Sequence, residues 1–419
     1  MILLSNNLGL LKKPVGKVIL GTTSMHKAHK KHTMLIKPHL GRFSAIEVAI
    51  LGTPCDNIRK IAFDIIESLS SAYKIAYVDA DHKGAVEAEK GGFDPKSAIT
   101  HGGSMQYTDK IHFNRIDWKG GLNPLRQKKY FLDQDLVIIN GNHFDSDLQI
   151  AVIDTRKPLE KKLHKLTRVG LILLTDAETD IPEYLKAHIP EWSEIPVYQI
   201  GERSKIEDWI KSLLKKGMPG VSGLVLAGGK STRMNSDKTR FNYHGKPQRE
   251  FIWDLLSVHC DKVFLSCRED QTDEIDPSLN PLPDTFTGLG PFGGILSAFR
   301  SNPNSAWLTV ASDMPLLDED MLRFLVENRD PSKTATAFWD PKHEFPEPLI
   351  TIWEPRAYHE LLYFLGLGYS CPRKALINSD VKLLEAPDKD KLMNVNYPEE
   401  YEAILKVIGE DRKENVSSH

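Results

Sequence analysis

Short apolar runs alternate with amphipathic stretches along most of this chain, and that alternation predicts where strands and helices fall. Val48–Leu51 is a compact apolar run, Gly52-Thr-Pro54 breaks it, Asn57–Leu69 has helical spacing, and Lys74–Val78 is a second run. That succession is a strand–helix–strand unit. Further strands are expected at Leu136–Ile139, Gln149–Ile153 and Val169–Leu174, and a helix over Lys205–Lys215. Gly217-Met-Pro-Gly220 interrupts the pattern and marks the expected domain boundary. Beyond it, strands are expected at Gly223–Leu226, Lys262–Ser266 and Ala306–Ala311, with a helix over Gln248–Cys260. Such alternation implies mostly parallel sheets covered on both faces. The expected fold is α/β: two three-layer domains, residues 43–217 and 218–419, after a basic leader of residues 1–42.

Composition narrows the class without choosing a function. A chain of 419 residues can build two or three cores. Its net charge of −3 gives no global pull toward nucleic acid or a membrane surface. No apolar stretch reaches the roughly 18 residues of a spanning helix. The lysines near the N-terminus follow its short apolar start, which argues against a signal peptide. Cys55, Cys260, Cys267 and Cys371 form no Cys-x-x-Cys pair and read as reduced thiols acting as small core residues. A cytoplasmic enzyme is expected. In the leader, His26, His29, His32 and His39 lie among lysines without carboxylate or cysteine neighbours. A solvated basic segment is the plainer reading, and contact with an anion the other.

Candidate chemistry concentrates in the second half. The apolar run ending at Leu226 breaks into Ala227-Gly228-Gly229, followed by Arg233 and Lys238. A Gly-rich turn after a buried strand exposes backbone N–H groups that can cradle phosphates, with nearby cations to balance charge. A ligand-free strand-to-helix turn is the alternative. Asp284-Thr-Phe-Thr-Gly-Leu-Gly-Pro-Phe-Gly-Gly294 opens backbone to a ligand before a helix at Ile295. Leu308-Thr-Val-Ala-Ser-Asp313 delivers a carboxylate to a strand end, suited to Mg²⁺ or to capping the helix after Pro315. Asn394 and Asn396, in Met393-Asn-Val-Asn-Tyr-Pro-Glu-Glu400, read as metal or phosphate ligands or as turn residues.

These motifs, in this order over residues 221 to 408, resemble the molybdenum cofactor guanylyltransferase (MobA-like) family of nucleotidyltransferases. The resemblance implies a Rossmann-like nucleotidyltransferase domain that transfers GMP from GTP to Mo-molybdopterin and releases pyrophosphate. It implies that Leu226, Ala227, Gly228, Gly229 and Lys238 hold the triphosphate; the expected catalytic residues are Arg233 and Lys238, which would neutralise charge, and Asp313, which would hold the metal. Asp284 would contact the base, Asp313 would bind Mg²⁺, and Asn394 and Asn396 would lie near the pterin phosphate and metal. Molybdoenzyme apoproteins or other cofactor-biosynthesis proteins are possible partners, with no nucleic acid and no membrane. Two departures stand out: Asn235-Ser236 where the family has Gly after Arg-Met, and Pro247-Gln248 where it has Pro-Leu. A related transferase using CTP or making a nucleotide sugar is the nearest alternative, and a non-catalytic cofactor-binding or chaperone protein the alternative of another class.

In the first half, a phosphate loop would read Gly-x-x-x-x-Gly-Lys-Ser/Thr after the first strand. The chain has Gly52-Thr-Pro-Cys-Asp-Asn-Ile-Arg-Lys60, without the second glycine, the lysine or the hydroxyl at their places. With Tyr77–His82, Leu136–His143 and Gly170–Asp176, this half resembles the GTP-binding adaptor (MobB-like) of the same pathway, with a degenerate P-loop-like domain. Arg59 and Lys60 are expected to face solvent or touch an anion.

Overall fold

The computed structural model describes residues 46–80, 97–227, 242–341, 343–395, 400–402, 404–406 and 408, all within one compact unit spanning His39–His419. The leader, Gly228, Gly229, Arg233, Lys238 and Asn396 lie outside the described residues.

Two sheets organise these residues. The first contains β1 (Glu47–Leu51), β2 (Ile75–Val78), β5 (Leu136–Asn140), β6 (Leu148–Ile153), β7 (Arg168–Leu174) and β8 (Val197–Gln199). Its order is β2-β5-β1-β6-β7-β8, and every pairing is parallel. β1 and β5 are buried at every position, as strands covered on both faces must be. One face packs against the helices Cys55–Leu69 and Arg203–Lys216 through Ile50, Ile138, Ile58, Ile65 and Ile210. The other packs through Leu51, Ile172 and Leu185. β3 (Met105–Asp109) and β4 (Asn114–Trp118) form a separate antiparallel pair that the apolar pattern did not signal.

The second sheet contains β9 (Val221–Leu226), β10 (Lys262–Cys267), β11 (Pro281–Pro283), β12 (Ala306–Ala311), β13 (Ala335–Asp340), β14 (Phe345–Trp353) and β15 (Val381–Glu385). Its order is β11-β10-β9-β12-β14-β13-β15. Only β14 runs against its neighbours, β12 and β13. The helices Gln248–Ser257 and Glu319–Glu327 cover one face through Ile252, Leu256 and Leu322. The helix Pro291–Ser301 covers the other, where Phe292 and Phe299 pack with Trp307 and Trp353.

Several boundaries differ from expectation. The helix expected at Ile295 begins at Pro291, because Pro fits a first helical turn, where its missing N–H costs nothing. The helix after Pro315 begins at Glu319, and its cap is Asp318, whose side chain accepts from the Met321 N–H. Asp313 is therefore not that cap. The four cysteines are free, but only Cys267 is fully buried. Cys371 is exposed, and Cys55 Sγ lies 3.3 Å from His143 Nε2, so neither is a small core residue as expected. Among the described residues no helix is long and apolar enough to cross a membrane.

Candidate functional site

In an open α/β sheet, ligands bind beyond the strand carboxyl ends where the strand order reverses. In the second sheet that point lies between β9 and β12: from β9 the chain runs outward to β10 and β11, then returns to β12 on the other side. The two strands are in parallel register, with Ala311 opposite Leu226. Ser312 continues the pairing, its N–H and hydroxyl both reaching the Leu226 carbonyl at 3.3 and 3.2 Å. Leu226-Ala227 and Asp313 thus leave the sheet side by side.

The segment after β12 is held from several directions. The Val395 N–H donates to the Asp313 carbonyl at 2.9 Å, bringing Asn394 to the same turn. Asn394 Oδ1 is buried and has no hydrogen-bond partner among the described residues. Gln248 Nε2 donates to the Met314 carbonyl at 3.1 Å, and His244 Nε2 approaches the Pro315 carbonyl at 2.8 Å. Tyr243, buried beside Tyr401, has its hydroxyl pushed up chiefly by burial, with the nearby carboxylates of Asp313 and Glu400 adding to the shift. Glu347 at the start of β14 is 8% exposed. Its carboxyl is raised chiefly by burial, with Asp340 and Asp313 adding like charge against the help of the Leu349 N–H and Arg373.

Asp284 follows β11 and lies beyond the ends of β9 and β10. Ser266 donates its hydroxyl to Asp284 Oδ1 at 2.9 Å, but burial dominates and raises the carboxyl above its ordinary value. Gly294 faces this group: a Cβ there would come within 2.8 Å of Ser266 Oγ, 3.1 Å of Leu226 and 3.5 Å of Asp284 Oδ1. The glycine therefore lets the helix Pro291–Ser301 start against the Leu226–Ser266–Asp284 corner. The turn from Thr285 to Gly290 is fastened by the Ser297 hydroxyl, which receives the N–H groups of Thr285 and Phe286 at 2.9 and 3.3 Å. The Asp284 side chain is not what closes it.

The structure thus brings Leu226, Ala227, Asp284, Asp313 and Asn394 to one edge of the second sheet. Sequence reasoning missed Ser266, Glu347, Tyr243 and His244 there, and read Gln248 only as a departure. None of these lies in a motif; only the departure at Gln248 gave a signal.

The matching edge of the first sheet is built differently. Gly52 has φ +96°, and a Cβ would lie 2.3 Å from the Val152 carbonyl, so the turn after β1 is shut tightly against β6. Thr53 Oγ1 donates to Asp154 at 2.5 Å, and Arg156 grips the same carboxylate through Nε and Nη2 at 2.9 and 2.8 Å. Arg156 and Thr53 hold Asp154 down to about 2. Asp79 accepts from the Ala80 N–H, Asn140, Tyr77 and Arg59. Burial opposes them, yet together they keep Asp79 below the usual carboxylate range. Arg59 is accordingly paired with Asp79, while Lys60 is exposed.

Residues 223–380 match the family model described as the MobA-like NTP transferase domain. Over 180 residues, 43% of its length, the chain is 36% identical to a "Molybdenum cofactor biosynthesis bifunctional protein" of Synechocystis sp., spanning 52% of that protein. It is 32% identical over 146 residues, 33% of its length, to a "Probable molybdenum cofactor guanylyltransferase" of Natronomonas pharaonis, covering 70% of that protein. A protein of the same description from Nostoc sp. is 28% identical over 192 residues, 45% of this chain and 91% of its own length.

Proposed function

The chain belongs to the MobA-like NTP transferase family, and from that premise we propose that residues 218–419 form a guanylyltransferase domain acting on molybdopterin. A terminal phosphate oxygen of the pterin substrate forms a bond to the α-phosphorus of GTP, and the bond to the bridging oxygen breaks, releasing pyrophosphate. No protein nucleophile is required, so the domain works by positioning and by neutralising charge.

The observation that carries this reading is the strand switch at which Leu226-Ala227 and the Asp313 turn emerge together. Asp284 accepts from the guanine N1–H and exocyclic amine, a pairing that neither cytosine nor adenine can offer in full. Gly294 leaves the room for that contact. Gly228, Gly229, Arg233 and Lys238 complete the triphosphate site in this reading, and Asn396 joins Asn394 at the pterin phosphate.

The donor set suits a divalent cation. Asp313 offers a hard oxygen at a strand end, and Asn394 Oδ1 is a buried oxygen with no donor among the described residues. Mg²⁺ accepts one or two such ligands along with substrate phosphate oxygens. When bound it would neutralise charge on the triphosphate. Residues 43–217 are a second domain, MobB-like with its phosphate loop lost, and the protein is a cytoplasmic partner of other cofactor-biosynthesis proteins.

The test is to incubate purified protein with Mg²⁺ and GTP, ATP, CTP or UTP, with and without molybdopterin, and follow pyrophosphate and the dinucleotide product. GTP- and molybdopterin-dependent product is expected. Equal use of CTP, or turnover with a sugar phosphate in place of molybdopterin, would replace this reading with that of a related nucleotidyltransferase. No turnover with any nucleotide would leave a binding protein.

A further inference from the structure

Three successive carbonyls in the turn after β12, those of Asp313, Met314 and Pro315, each take a hydrogen bond from a different group: the Val395 N–H, Gln248 Nε2 and His244 Nε2. Such carbonyls lie past the end of the strand ladder and need partners from elsewhere. Two of the three donors come from the short segment His244–Gln248, which leads into the helix Gln248–Ser257. His244 is itself fixed by stacking on Phe251, with ring centroids 3.7 Å apart. Because a carbonyl only accepts, the imidazole carries its proton on Nε2 in this contact.

Gln248 is the more telling of the pair. It is completely buried, 0% exposed, yet its Oε1 has no hydrogen-bond partner among the described residues. Burying an amide with its oxygen unmet costs free energy, and an apolar side chain of similar volume would avoid that cost. Leucine is the residue expected at this place from the family resemblance, and it has no N–H to give. Stability therefore does not account for an amide here. What the amide supplies is a donor to the residue next to Asp313.

We propose that Gln248 and His244 are positioning residues of the transferase: through the Met314 and Pro315 carbonyls they hold the turn that aims the Asp313 carboxylate. The proposal rests on the guanylyltransferase reading of this edge. Catalysis by preorganised groups is sensitive to small displacements, and a shift on the order of 1 Å can cost about a hundredfold in rate. Losing either donor frees one carbonyl of the turn while the strand, the helix and the nucleotide pocket remain.

The test uses the full chain with Gln248→Met, His244→Phe and His244→Gln. Methionine keeps the volume of Gln248 without a donor, phenylalanine keeps the stack on Phe251 without a donor, and glutamine at 244 restores an N–H. Three quantities are read: kcat and KM for GTP, the affinity for Mn²⁺ as a metal probe in the presence of GTP, and the thermal midpoint. Gln248→Met and His244→Phe are expected to lower kcat at least about tenfold with KM for GTP changed less than about threefold. Mn²⁺ affinity should weaken, the midpoint should stay within a few degrees, and His244→Gln should recover most of kcat. Unchanged kcat and Mn²⁺ affinity in both donor-free variants would overturn the proposal. So would a loss of kcat that merely tracks a fall in the midpoint. Absence of transfer by the wild-type chain would instead defeat the guanylyltransferase reading, and Mn²⁺ affinity would still report on the clamp.

Discussion

The carboxyl edges of the two sheets use similar parts to opposite ends. At the first, Asp79 and Asp154 are enclosed by Arg59, Arg156, Asn140, Tyr77 and Thr53, and both carboxyls are held below their ordinary values. At the second, Asp284 is half-buried with Ser266 as its side-chain donor, and its carboxyl is raised. An edge whose charges are matched internally has little to gain from a ligand. One that leaves a carboxylate in a poorly solvated corner gains from whatever brings N–H donors or a cation. The contrast agrees, without reference to any motif, with the proposal that the second edge is the binding edge.

Removing Asp313 breaks the contrast most severely. Asp313→Ala should lower the transfer rate by about a thousandfold or more, as loss of a group stabilising phosphoryl charge does, with little change in thermal midpoint. Near-normal single-turnover rates at ordinary Mg²⁺ would remove Asp313 from the site. Asp284→Ala comes next: kcat/KM for GTP should drop about 10- to 100-fold while ATP and CTP barely change, measured by competition among the three. Equal damage to all three nucleotides would make Asp284 structural. The raised carboxyl adds a pH signature, since guanine needs the ionised form. Preference for GTP should fade on acidification at a higher pH than an ordinary aspartate would give.

The first sheet should respond in stability alone. Asp154→Asn should leave transfer intact but cost about 1–3 kcal/mol at pH 7, read by denaturant unfolding. A folded value of about 2 means that Asp154 stabilises above the unfolded carboxyl range and ceases to do so as pH falls from about 4 toward 2. The gap between wild type and variant should close over that window. A gap that widens on acidification would show the pairing has been misjudged. Arg59→Ala, at a half-exposed pair, should change neither rate nor midpoint measurably.

Much of the architecture was legible because parallel strands buried on both faces read as unbroken apolar runs, as in Val48–Leu51 and Ala306–Ala311. β14 escaped notice because Pro346 and Pro348 at its start argue against an inner strand, although it lies between β12 and β13. The β3–β4 pair escaped because its burial is slight and gives no core-facing alternation. At the site, Asp284 and Asp313 could be read from the sequence, since each closes a strand or opens a Gly-rich turn. The hydrogen bonds of His244 and Gln248 could not. They reach backbone 71 and 66 residues away, and a contact to backbone leaves no constraint on the residue type it meets.

Among the described residues, the ladder of the first sheet is closed by residues 47 to 199, with no strand borrowed from beyond Gly217. During synthesis its last strand is therefore complete before β9 and everything after it are begun. At roughly 5–20 residues per second, the remaining half takes about 10–40 seconds to appear. The strands of the first sheet thus have that interval to pair with one another before the strands of the second are all made.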